Sequence, residues 1–215
     1  MTAGSRLARR IWDESVMIRN GRGGRYLDAR GLAARPDALR YHPRTPVRVG
    51  GVLQFRPAII AAVKERAELV AIQRNFLDPR KAALARDLPN PRLTLGRPLS
   101  GAVKLQPAQD VLGLAEGVET AMSASLLLGL PVWAVLGAER LHQVLIPAHV
   151  RRLILLPDND ISGWRSVGRA MTSYRRDALS VELFWPWGGL NDWSHVLARE
   201  MREGRGERDW ARQAA

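Results

Sequence analysis

The sequence predicts an α/β protein: a mainly parallel sheet with flanking helices over residues 109–200, preceded by a smaller basic α+β subdomain over residues 1–108. Three observations predict it. After Gln109, short apolar runs alternate with helix-like segments, the pattern of parallel strands joined by helical crossovers. Before Gln109, β-rich runs are separated by proline and glycine. Charge also divides the chain: up to Pro107 there are 21 Lys/Arg against 8 Asp/Glu, and beyond it 12 against 13.

From the N-terminus, Leu7, Ile11, Trp12 and Val16 fall near helical spacing, predicting a helix over 5–18. Gly21-Arg22-Gly23-Gly24 is read as its break, and residues 25–30 as a short helix ended by Gly31. Prolines, Gly50-Gly51 and the lack of period predict a loop over 36–51. Residues 52–55, 58–63 and 69–76 read as strands, with a charged turn at Lys64-Glu65-Arg66. Residues 78–97 are polar and proline-marked, predicting an extended loop. In the second half, strands are expected at 110–115, 132–136, 152–156 and 180–185. Helices are expected from 117 to 128, from 138, over 162–174 and over 191–200, with 201–215 as a charged tail.

Composition excludes several classes. Hydrophobic content of 46% and charged content of 25% are those of a globular protein. The absence of cysteine excludes disulfides and thiolate zinc sites and suits a cytoplasmic location. His42, His142, His149 and His195 are too scattered to build a structural zinc site, so no zinc is expected. Residues 121–138 carry no charge and approach bilayer length, but Gly129-Leu130-Pro131 divides them into a buried helix, a turn and a buried strand; no membrane association is expected. The net charge of +12, concentrated in one half, suggests that one part grips a polyanion while the other works on it. The plainer alternative is an arginine-rich genome and solvated faces, since lysine is scarce.

In an open parallel sheet, ligands gather beyond the carboxyl ends of the strands. Glu116 follows the first predicted strand, Asp158 and Asp160 follow the third, and Asp192 lies shortly after the fourth. Clustered carboxylates repel unless a cation intervenes, and hard oxygen donors select Mg2+ or Mn2+. Each acid also has a structural alternative: Asp160 as a helix cap, Asp158 as a turn residue, Glu116 as a counter to the helix dipole. Trp185, Trp187 and Trp193 fall near the predicted mouth, with Trp164 just beyond the aspartate turn. Base stacking is weighed there against ordinary packing.

Leu114-Ala115-Glu116-Gly117-Val118-Glu119-Thr120-Ala121, then Gly137, then Asp158-Asn159-Asp160-Ile161-Ser162-Gly163, resembles the Toprim domain of bacterial-type primases, topoisomerases and some nucleases. In the first half, Tyr26-Leu27-Asp28-Ala29-Arg30-Gly31-Leu32 resembles the helix preceding that module in primases of bacterial, phage and mobile-element type. The run from Leu69 to Pro79 is similar to a strand of the same basic subdomain, and Leu95 to Leu105 to its link into Toprim.

The resemblance implies a Rossmann-like Toprim fold and a primase-type nucleotidyltransferase. Such an enzyme makes short RNA primers on single-stranded DNA from NTPs with Mg2+, alongside a helicase or another replication protein. It implies that Glu116, Asp158 and Asp160 are catalytic and hold metal with Asp192, while Arg74, Lys81, Arg97 and Lys104 grip template or nucleotide. Three features depart from the family's pattern. Thr120 stands where replicative primases place an acid, His195 stands in an otherwise acidic late segment, and neither the zinc-binding module nor a helicase is recognised. A Toprim nuclease and a catalytically inactive nucleic-acid-binding or assembly subunit are the alternatives.

Overall fold

A computed structural model describes residues 3–204. The chain divides into two compact units, residues 1–99 and 100–215.

The first unit is built from α1 (Ala3–Glu14), β1 (Val16–Met17), α2 (Arg22–Asp28), β2 (Leu39–Val49), β3 (Val52–Glu65), β4 (Glu68–Phe76) and β5 (Arg92–Gly96). The strands lie in the order β1-β2-β3-β4-β5, every neighbouring pair antiparallel. Helix α1 turns Ala8, Ile11 and Trp12 onto Ala58, Ile60, Ala62, Ile72 and Phe76 of the sheet. Burial of those side chains, rather than helix propensity, holds a segment this short helical.

Several local expectations are corrected here. Residues 36–51 are not a loop but contain β2, whose strand state comes from its long pairing with β3. The register shifts between His42 and Thr45, and the irregularity accommodates Pro43, which has no N–H to offer the ladder. Residues 52–55 and 58–63 form one continuous strand, and residues 78–97 contain β5, paired with β4 from Asn75 to Ala71. The first helix stops at Glu14, and 16–17 is a strand. Gly23 and Gly24 belong to α2 instead of breaking the chain. A side chain at Gly24 would overlap the carbonyl of Arg19, so glycine there permits a close approach.

The second unit contains β6 (Ala102–Val103), β7 (Val111–Ala115), α3 (Val118–Leu128), β8 (Val132–Ala134), a 3-10 turn (Ala138–Arg140), β9 (Arg152–Leu156), α4 (Ile161–Ser173), β10 (Ser180–Leu183) and α5 (Trp193–Arg202). Its strand order is β6-β8-β7-β9-β10; the last four are parallel, and β6 runs antiparallel to β8. This is the mainly parallel sheet with flanking helices that the apolar runs predict. Residues 121–138 divide as expected, with α3 closed by Gly129 in the left-handed conformation (φ 65°) before β8 begins. Among the described residues, no helix is long and apolar enough to cross a membrane. Helix α5 runs two residues past the expected boundary at 200, and the expected tail from residue 205 onward lies outside the described residues.

The core of this unit joins Leu112, Leu114, Trp133, Leu153 and Leu155 to Ala170 of α4 and Tyr174 at its C-cap. The Tyr174 hydroxyl donates to the Leu141 carbonyl (2.8 Å) and accepts from the Val144 amide (3.0 Å), which anchors the connection after the 3-10 turn. Buried Arg140 does the same for the end of β8, donating to the carbonyls of Val135 and Gly101 at 2.7 Å each.

Candidate metal and nucleic-acid site

Parallel pairing of β7, β8 and β9 places their carboxyl ends side by side. Glu116 immediately follows β7, and its own backbone is stitched to the next loop: its carbonyl accepts from the amides of Leu136 (2.8 Å) and Gly137 (3.3 Å). The Glu116 side chain is buried, and its Oε1 accepts from the Asp158 amide at 3.2 Å. Two strand ends are thereby joined through one carboxylate.

The turn after β9 holds the remaining acids. Asp160 caps α4, its Oδ1 accepting from the Gly163 amide (2.8 Å) and the Ser162 hydroxyl (2.7 Å). Gly163 is required because any β-carbon there would overlap the Asp158 carbonyl folded over the first helical turn. On the far side, the Asn159 amide donates to the Asn191 carbonyl (2.6 Å) and its side chain to the Leu190 carbonyl (3.4 Å). That tether draws in Asp192, which caps α5 through the His195 amide at 2.8 Å. His195 itself is exposed, with Nδ1 3.1 Å from Asp192 Oδ1.

The electrostatics record the crowding. Burial, and then the nearby charges of Glu116, Asp192 and Asp160, push the Asp158 carboxyl up to about 7. Glu116 is raised chiefly by burial, with Asp160 and Glu139 adding to the rise against the opposing Asp158 hydrogen bond. Asp160 is held below the ordinary aspartate value by its hydrogen bonds from Ser162 and Gly163.

Asp158 Oδ1 is buried without a hydrogen-bond partner among the described residues, an arrangement that costs stability unless a proton or cation meets it. The orphaned oxygen and the hard donor set around it fit a divalent ion. Among the described residues, no three Asp, Glu or His side chains form a ready metal cage, so the carboxylates would have to close in on an ion.

The sequence reading missed Glu139. It lies two residues beyond Gly137, whose φ of 132° turns the chain so that the Glu139 carboxylate crosses over it. The signal was present, since the residue follows a strand end like the other acids, but its position in an apparent helix start concealed it. Glu119 and Thr120, at the start of α3, are both buried.

The candidate cations are divided between the two units. In the first unit, Arg74 is half-buried, donates to the Pro46 carbonyl (2.9 Å) and has its pKa lowered by burial. Lys81 and Arg97 are exposed. In the second unit, the Lys104 ammonium sits 4.9 Å from the Trp133 ring centroid. The tryptophans divide into two pairs. Trp164 stacks on Trp185, while Trp187 meets the fully buried Trp193 edge-on at 4.9 Å.

A family model described as Toprim domain matches residues 111–203, the span that contains every acid of the cluster. This part of the chain is a Toprim domain. Residues 2–105, ahead of the Toprim domain, match a family described as a domain of unknown function (DUF7146). No curated protein matches the chain in sequence. Among solved structures, a DnaG catalytic core is similar with a TM-score of 0.64 at 14% identity, covering 94% of this chain and 79% of that one. A DnaG primase catalytic domain bound to single-stranded DNA gives 0.62 at 14%, covering 94% and 76%. A DNA primase domain from Pseudomonas aeruginosa gives 0.59 at 15%, covering 92% and 75%. The chain therefore has the fold of primase catalytic cores.

Proposed function

We propose that the protein is a primase-type nucleotidyltransferase that joins ribonucleotides on a single-stranded DNA template. The observation that carries this reading is the buried, unpartnered Oδ1 of Asp158 among Glu116, Asp160 and Asp192 at the strand ends of a Toprim domain. Glu116, Asp158 and Asp160 would hold Mg2+ or Mn2+, with Asp192 assisting. A bound divalent ion supplies activation of the attacking hydroxyl and neutralisation of charge on the departing pyrophosphate.

The chain's own residues prepare that chemistry. Asp160 takes both of its cap hydrogen bonds on Oδ1 and would offer its carboxylate to the ion. Glu116 orients the Asp158 backbone through its Oε1, and Asp158 would hold the ion in its charged form, which a nearby cation favours. Arg74, Lys81, Arg97 and Lys104 would contribute to holding phosphates of template or nucleotide, a contact that supplies affinity without base choice. A helicase or other replication protein is the partner this activity would serve.

The test is nucleotide incorporation by the whole chain on single-stranded DNA with Mg2+ or Mn2+. Extension products are expected, and Asp158→Ala should reduce them to background while binding of the DNA persists. Cleavage products in place of extension would assign the same acids to a nuclease. Neither product, together with no effect of either ion on the melting temperature, would leave a nucleic-acid-binding subunit.

A further inference from the structure

Trp164 lies on α4, one turn beyond the Asp160 cap, and its surroundings are unusual for an indole. One face stacks on Trp185, with ring centroids 4.1 Å apart and planes 22° from parallel. Its Nε1 donates to Asn159 Oδ1 at 3.3 Å. The side chain is thus held on one side by a ring and at its edge by a hydrogen bond, yet Trp164 remains 60% exposed. A large aromatic usually hides most of its surface; this one is fixed and displayed.

The next turn of the helix completes the surface. Gly168, at i+4 from Trp164, has open space where a side chain would project, so nothing on that residue obstructs the approach to the indole. Arg165 and Arg169, also at i and i+4, are exposed and have no ion-pair or hydrogen-bond partner among the described residues. A rigid π face on a helix that also carries two exposed, uncommitted guanidinium groups matches the chemistry of a base and its adjoining phosphates.

We propose that this face of α4 is a stacking platform for an unpaired nucleobase, with Trp164 under the base and Arg165 and Arg169 on the adjoining phosphates of a single strand. The occupant is single-stranded nucleic acid, since a duplex has no free base face to offer. An acidic protein surface could satisfy the arginines but has no need of the indole's flat face. The proposal rests on the reading that the protein works on single strands, and it deepens that reading: the Asn159 hydrogen bond fastens the platform to the loop carrying Asp158 and Asp160. Because the indole is held before the ligand arrives, little side-chain freedom remains to be lost on binding.

The test compares binding of fluorescently labelled oligo(dT) and an abasic oligonucleotide of equal length by anisotropy, using the whole chain. Trp164→Leu is expected to weaken oligo(dT) binding about tenfold and to leave the abasic strand nearly unaffected. Trp164→Phe, which keeps a stacking face, should retain most of the affinity and guards against an effect of misfolding. Arg165→Gln with Arg169→Gln should weaken both oligonucleotides equally and flatten the salt dependence by roughly 1.4 in logarithmic slope. Unchanged oligo(dT) binding by Trp164→Leu would overturn the platform, and so would an equal loss on the abasic strand. The assay needs no nucleotide addition, so an enzyme that fails to extend primers leaves this result standing. A normal primer yield from a Trp164→Leu variant with unchanged binding would remove only the platform.

Discussion

At Asp158 two demands conflict. The carboxyl group is partly buried beside three other acids, which favours the protonated form, while ion binding requires the charged one. The stability consequence follows from the sign of the shift. An unfolded aspartate titrates near 3.9, whereas the folded group titrates near 7, so between those values the native state binds more protons. Metal-free protein should be most stable below about pH 4 as far as this group is concerned, and lose that contribution as pH rises through about 7. Asp158→Asn should therefore raise the metal-free melting temperature at pH 8 and change it little at pH 4. The gain is on the order of 1 to 2 kcal/mol once partial solvation is allowed for. Added Mg2+ should raise the wild-type melting temperature at pH 8 and leave that of the variant nearly unchanged, which differential scanning calorimetry would read. Wild type and variant with equal melting behaviour across this range would contradict the account of Asp158.

The turn between β9 and α4 combines two roles that can be separated by substitution. Asp160 is both a helix cap and a proposed ion ligand. Asparagine caps a helix about as well as aspartate but carries no charge, whereas alanine does neither. Asp160→Asn is expected to keep stability within a few tenths of a kcal/mol, and Asp160→Ala to lose about 1 kcal/mol in urea unfolding. Both should lose nucleotide incorporation; full activity in Asp160→Asn would confine the residue to capping. Elements such as β7, α3 and β9 were legible because each carries its own apolar run, and α4 because a capping aspartate precedes its helical pattern. Strands β2 and β5 were not. Their segments are rich in proline, arginine and polar residues, and they are strands because β3 and β4 supply the partners. Glu139 escaped for a related reason, since the backbone at Gly137, not the local pattern, brings it toward Glu116.

For the whole molecule, the net charge of +12 predicts how it meets a polyanion. Binding of single-stranded DNA should weaken steeply with salt, by about 0.7 in logarithmic slope for every phosphate neutralised. A slope near zero would assign the arginine excess to solvated surface. The division of charge between the two halves was legible along the sequence, as were the strand-end positions of Glu116, Asp158 and Asp160. What composition could not reveal is the company those acids keep. Asp192 joins them through a backbone tether from Asn159 to Asn191, and Asp158 is left with an oxygen that nothing among the described residues satisfies. Arg74 illustrates the converse: a basic residue in a promising segment whose side chain is already engaged by the Pro46 carbonyl.

Asn159 sits at the centre of this arrangement, with its amide on Asn191 and its side-chain oxygen on the indole of Trp164. A tug on the indole reaches Asn159 directly, and from there passes to the peptide that carries Asp192. Under the stacking proposal, a strand held on the indole would pull on the same residue that ties the loop of Asp158 to Asp192.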